Sequence, residues 1–285
     1  MNQNIYDDFA DHLVCIWEKG FEHNYKVTHH PAWNRWRQVC TSQDKTQWYC
    51  SSLKQAADHY SWTGEEPSKI FSNLSMRLRD SINRGDAKDS ALVCGEIFEW
   101  GGVARRQNDS SRLWVIAQRD SSQLCDRLLN AVDLLNSSNG SLDKFDGQYL
   151  LMNSAMTKIY AACDSRRLII YDGRVGAALG LLVKDYLHSI GHQGVVPDHL
   201  AFRWGSSRRK LGSRLQNERN PSDGDLKFKP LFGTNLDQVH AEMMRKASFL
   251  INKAASSIGY GDVSMLHRLE KALFMIGYDV SRRIQ

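Results

Sequence analysis

The chain has 285 residues, 42% of them hydrophobic and 24% charged, with five prolines and a formal net charge of +5 at pH 7. That length and composition suit a globular chain with a sizeable core and exclude disordered, collagen-like and low-complexity classes. No apolar run is long enough for a membrane span, and "MNQNIYDDFADHL" lacks the basic and apolar regions of a signal peptide, so a cytoplasmic location and no membrane partner are expected.

Helical periodicity dominates, and the expected class is all-α or nearly so. Ile5, Phe9, Leu13 and Ile16 or Trp17 mark a first amphipathic helix. The stretch that follows interleaves Trp33, Trp36, Trp48 and Trp62 with His29, His30, Arg35 and Arg37 and shows no period, so an irregular aromatic-rich region is expected there. "SKIFSNLSMRLRDSINR" (68–84) reads as helix, and "DSALVCGEIFEWGGV" as another that stops at Gly101-Gly102. Leu113 to Leu135 reads as one helix, closed by "NSSNGS" (136–141), the best candidate for a boundary or flexible connection.

Tyr149 to Cys163 reads as helix, and after a short loop the next helix opens at Asp172. In it Val175, Ala178, Leu179, Leu182, Val183, Tyr186 and Leu187 form one apolar stripe, with Arg174 off it. Leu236 to Ile258 and Leu266 to Ile276 carry the periods of two last helices. The expected organisation is a helical or irregular N-terminal region (1–90) and a helical domain (91–285), or one compact unit containing both.

Cys15, Cys40, Cys50, Cys94, Cys125 and Cys163 are scattered singly, with no C-x-x-C pair, and the histidines show no metal spacing. Buried free thiols are expected, and neither a metal nor another cofactor. Asp172 stands where a carboxylate accepts hydrogen bonds from a helix's first amides, so capping alone would explain it. Lys158 lies upstream, after the polar turn "MNSA", and the apolar hop "RRLII" could bring lysine and aspartate into one cleft.

"IIYDGRVGAALG", preceded by Ser154 to Lys158 in the pattern S-x-x-[ST]-K, resembles the helix-hairpin-helix DNA glycosylases, above all bacterial proteins of the 8-oxoguanine-glycosylase fold. Some of those occur among anti-phage defence genes. The resemblance spans residues 150–187, with echoes in "IFEWGGV" and "RLEKALFMIGYDV". It implies a helix-hairpin-helix glycosylase-like fold that excises a damaged or modified base and leaves an abasic site. Asp172 would then be the catalytic aspartate, and Lys158 a Schiff-base lysine conferring AP-lyase activity. Two departures stand out: the hairpin glycines of the superfamily (L-P-G-[VI]-G) are replaced by "LMNSAM", and the lysine-to-aspartate spacing is shorter.

Base excision passes through an oxocarbenium-like transition state that a carboxylate stabilises. Its partner would be DNA. "RWGSSRRKLGSRLQNER" (203–219) holds Arg203, Arg208, Arg209, Lys210, Arg214 and Arg219 against the single acid Glu218, a composition suited to phosphates. Ser154 and Arg174 are further candidate DNA contacts, and Arg105-Arg106 and Arg166-Arg167 could extend the same face. Trp100 and Trp204 are the candidate base-pocket walls, and Glu270 is expected to be structural. The rival expectation is a non-catalytic DNA-binding or defence-complex module of the same fold.

Overall fold

In a computed structural model of the chain, residues 2–27, 47–62, 66–103, 109–206, 218–232, 235–259 and 262–281 are described. The helices among them are α1 (Asn2–Glu18), α2 (Leu53–Asp58), α3 (Pro67–Asn83), α4 (Ala87–Trp100), α5 (Ser110–Asp120), α6 (Leu124–Asn136), α7 (Met156–Cys163), α8 (Gly173–Ser189), α9 (Leu236–Gly259) and α10 (Val263–Ile276), with a 3-10 turn at Asp198–Leu200. A short antiparallel pair, β1 (His23–Lys26) and β2 (Gln47–Cys50), sets His23 opposite Cys50 and Lys26 opposite Gln47. The fold is nearly all-α. Among the described residues, no helix is long and apolar enough to cross a membrane.

Internal contacts divide the chain into two interleaved units. The first comprises Met1–Trp62, Asp172–Phe232 and Phe249–Gln285, and the second Thr63–Tyr171 and Gly233–Ser248. None of these boundaries lies near residue 90, where the sequence reading placed one.

In the second unit α3 packs on α4 and α7, burying Phe71, Leu74, Leu78 and Ile82 from one face. Asp86 caps α4 by accepting from the amides of Lys88 and Asp89 (3.1 and 3.0 Å). Beyond its other end Gly102 turns the chain away at φ 67, a left-handed conformation that glycine adopts without penalty. The single helix expected from Leu113 to Leu135 is two helices, α5 and α6. Ser122 between them takes φ 58, which interrupts the regular ladder, and the amide of Gln123 bonds to the Gln118 carbonyl (2.9 Å) instead.

Two further expectations fail in this unit for identifiable reasons. The turn at 136–141 is no boundary: Arg245 donates to the carbonyls of both Leu134 and Gly140 at 2.7 Å, tying the turn to α9. The helix expected from Tyr149 begins only at Met156, because the Asn153 side chain accepts from the amides of Ala155 and Met156 (2.9 and 3.1 Å) and so sets the helix start. Ahead of it Leu150, Leu151 and Met152 are buried outside any helix, and the Tyr160 hydroxyl donates to the Leu151 carbonyl (2.8 Å).

In the first unit α10 packs on α2 and α8, and α1 also lies against α2 and α8. The strand pair was missed in the sequence. It packs on the end of α10: Tyr25 stacks on Trp48 (4.9 Å between centroids), donates its hydroxyl to the Met275 carbonyl (2.9 Å) and lies 5.0 Å from the Tyr278 ring. His23 Nε2 donates to the Asp279 carbonyl (2.8 Å). Cys50, Cys94 and Cys125 are buried as expected, whereas Cys15 is exposed and Cys163 half-buried; Cys40 lies outside the described residues.

Candidate active site

The first turn of α8 is built by close backbone approaches that only glycine permits. A Cβ on Gly173 would stand 2.6 Å from the Gly205 Cα, and the Gly205 amide donates to the Gly173 carbonyl (3.1 Å). From the other side Gly277, just past α10, presses so closely on Arg174 that a Cβ there would collide with its carbonyl group. Asp172 is thereby fixed as the N-cap of α8. Its Oδ1 accepts from the amides of Arg174 and Val175 (2.9 and 3.0 Å), while Oδ2 accepts from no group among the described residues. The positive end of the helix complements this carboxylate's charge.

Arg174, expected off the apolar stripe, is 8% exposed. The stripe misleads here because α8 is buried nearly all round from Arg174 to Val183. The guanidinium lies in an aromatic box, 4.4 Å from the centroid of Phe274, 5.3 Å from Tyr278 and 5.9 Å from Trp62. Such faces attract a cation through their quadrupoles, which offsets part of its desolvation. Trp62 and Tyr60 each meet Phe274 edge-on, at 5.2 and 5.8 Å, and both are half-buried.

Electrostatics link these groups. Burial pushes the Tyr60 hydroxyl well above the usual tyrosine range, with Glu270 and Asp172 adding to the shift and Arg174 opposing it. Burial, then the neighbouring charge of Arg174, brings the Arg219 guanidinium down to about 10, against the pull of Asp172, Tyr278 and Asp279. Arg219 remains cationic at neutral pH. Its Nε makes a long hydrogen bond to the Tyr278 carbonyl (3.5 Å), and the Val280 amide donates to the Glu218 carbonyl (2.7 Å), pinning the 218–219 backbone to the segment after α10.

The remaining candidates divide between the two units and the residues outside the described ones. Trp204 belongs to the same unit as Asp172 and adjoins Gly205, but its indole N–H is engaged with the Phe228 carbonyl (3.0 Å) and its backbone bridges to Lys229 and Leu231. Arg203 beside it is half-buried. Lys158 and Ser154 lie in the second unit, where Lys158 Nζ donates to the Ser154 carbonyl (2.8 Å) and its aliphatic chain lies over Gly101. Trp100, also in that unit, stacks on Phe71 (4.5 Å) and donates to the Pro67 carbonyl (3.1 Å), both structural contacts. Arg167 pairs with Asp164 (2.6 Å). Arg208, Arg209, Lys210, Arg214 and Arg105-Arg106 lie outside the described residues.

Sequence reasoning missed Tyr60, Phe274, Tyr278 and Gly277 as parts of this site, and Trp62 was recognised only as one aromatic of an aperiodic stretch. For Phe274, Gly277 and Tyr278 the one signal, the phrase "RLEKALFMIGYDV" that contains them, pointed to the segment but not to its neighbours. Glu270 is mostly buried, 3.6 Å from His267 and close enough to Tyr60 to act on its hydroxyl. Among the described residues, no group of three or more His, Cys, Asp and Glu side chains is placed to hold a metal ion. No family model, curated protein or solved structure matches the chain.

Proposed function

We propose that the chain is a DNA glycosylase that hydrolyses the bond between a damaged or modified base and its sugar, with Asp172 as the catalytic carboxylate. One observation carries the reading: Asp172 is held rigidly through Oδ1 while Oδ2 takes no hydrogen bond among the described residues, at the start of the helix whose Arg174 lies among the Trp62, Phe274 and Tyr278 rings. In the reaction the C1′–N bond breaks with its electron pair leaving on the base. Asp172 stabilises the positive charge that develops at C1′. Water then adds to C1′ and releases a proton, the departing base gains one, and an abasic site remains. Trp62 and Tyr60 are half-buried, and their exposed parts are the apolar area offered to a base taken out of the stack. The hydrolytic reading needs no amine nucleophile, and it does not rest on Lys158.

The test is a base-release assay on DNAs carrying oxidised, deaminated and phage-type modified bases, comparing wild type with Asp172→Asn. Release of at least one base that falls about 100-fold or more in the variant supports the reading, this being the scale on which fixed electrostatic groups act in catalysis. Undiminished release by Asp172→Asn would remove Asp172 from the chemistry. Absence of release from every substrate, with salt-sensitive DNA binding retained, would favour a binding module.

A further inference from the structure

Arg219 is half-buried, and among the described residues its terminal nitrogens are not engaged. Among the described residues its hydrogen bonds run from Nε to the Tyr278 carbonyl and from its backbone amide to Glu218 Oε1, and neither Nη has a partner. Asp172 acts on it electrostatically, as do Arg174, Tyr278 and Asp279, but no ion pair joins Arg219 to either acid among the described residues. One oxygen of Asp279 is occupied by the amide and hydroxyl of Ser281 (2.9 and 2.5 Å), and Asp172 Oδ1 by its helix. Arg174 is enclosed by aromatic faces.

The segment after α10 thus holds both groups: its Tyr278 carbonyl takes Arg219 Nε, and its Gly277 presses on Arg174, two residues past Asp172, so that among the described residues a guanidinium with unused N–H donors and a carboxylate with an unused oxygen share one backbone support. A guanidinium whose Nη groups are open matches two oxygens of a phosphate in a bidentate fork. A nucleotide whose C1′ approaches Asp172 necessarily brings its own backbone phosphates with it.

Building on the glycosylase reading, we propose that Arg219 is the residue that grips the phosphodiester adjoining the target nucleotide, and so sets the register of the sugar against Asp172. The cation and the carboxylate then act on opposite charges of one nucleotide, the phosphate and the developing oxocarbenium. Arg219 is a binding and positioning residue here, not a catalytic one. Phosphate contacts of this kind fix register rather than read sequence.

The experiment measures DNA affinity against salt for wild type, Arg219→Gln and Arg219→Lys on an oligonucleotide in which single phosphates flanking the target are replaced, one at a time, by neutral methylphosphonates. Base release is recorded on the same substrates, and unchanged thermal unfolding confirms that the variants fold. The expected result is a salt slope reduced by about 0.9 in Arg219→Gln and retained in Arg219→Lys. One methylphosphonate position should also weaken wild type severalfold while leaving Arg219→Gln no weaker than it already is.

Additive losses at every position would overturn the assignment, while base release by wild type left the glycosylase reading standing. Base release without any methylphosphonate effect overturns it equally. If millimolar inorganic phosphate raises the unfolding temperature of wild type but not of Arg219→Gln, and no methylphosphonate matters, the site takes a free anion and the DNA assignment fails. Failure of wild type both to bind DNA and to release a base would overturn both proposals together.

Discussion

Gly277→Ala should be among the most damaging single-methyl changes in this protein. A Cβ at that position would collide with the carbonyl oxygen of Arg174 and stand 2.5 Å from its carbon and 3.0 Å from its Cα. All three atoms are backbone within the first turn of α8, so no rotamer change relieves the clash. The end of α10 and the start of α8 must part by roughly 1.5 Å before ordinary contact is restored. Overpacking that moves backbone lies at the upper end of the usual 1–3 kcal/mol, so a loss of about 3 kcal/mol or more is expected, a large share of a typical total of about 5–15 kcal/mol. Gly95→Ala is the matched control. Gly95 lies inside α4, and a Cβ there meets nothing within 4 Å, so the same methyl should stabilise by about 0.5–1 kcal/mol through helix propensity. Urea unfolding of wild type and both variants measures the difference, and near-ultraviolet circular dichroism reports the packing of the aromatic box around Arg174. Equal stability of Gly277→Ala and wild type would refute the close approach of α10 to α8, and with it the way in which Asp172 and Arg174 are held.

Asp172→Asn should retain the cap and lose less than about 1 kcal/mol, whereas Asp172→Ala should lose about 0.5–2 kcal/mol, because asparagine caps as well as aspartate and alanine does not; comparable losses in urea unfolding would show that the two bonds to Oδ1 contribute little. Arg245→Ala removes two 2.7 Å hydrogen bonds to the Leu134 and Gly140 carbonyls and should cost about 2–3 kcal/mol, with faster amide exchange across 134–141 as its local signature. Brief alkylation of the native protein should label Cys15 while sparing Cys50, Cys94 and Cys125, which react only after unfolding; mass spectrometry of the peptides decides. Burial pushes the Cys50 thiol up to about 12 from 9.0. The unfolded thiol therefore loses its proton first, so the stability this residue contributes is complete below about pH 9 and declines as pH rises from about 9 to about 12. The urea midpoint should accordingly fall less steeply above about pH 9 in Cys50→Ala than in wild type, and parallel slopes would contradict the shift.

Much of this architecture is written locally. The periods of α1, α3, α4, α8, α9 and α10, the stop at Gly101-Gly102 and the cap at Asp172 can all be read from residues within one or two helical turns of each other, because helix formation and capping are short-range events. Local reading failed where a single torsion or a distant partner intervened. Ser122 splits what its neighbours' periodicity joins, and Asn153 starts a helix about two turns later than the apolar pattern suggests. Cross-strand packing on the end of α10 holds the pair β1–β2, so those four-residue strands had too few positions to display alternation.

The surroundings of Asp172 were beyond any local signal. They draw on Tyr60 and Trp62, on Arg174, on Arg219, and on Phe274 to Tyr278, segments far apart in the chain that meet only within the first unit. An arginine next to a helix start reads as solvent-facing until aromatic rings from elsewhere close over it. A glycine reads as a turn until another backbone is found pressed against it. The amino-acid sequence by itself determined most of the long helices and the acid that caps α8, because each depends on neighbours along the chain. The tertiary structure alone decided which rings, which second arginine and which glycines surround that acid, because burial and charge pairing depend on contacts that chain order does not specify.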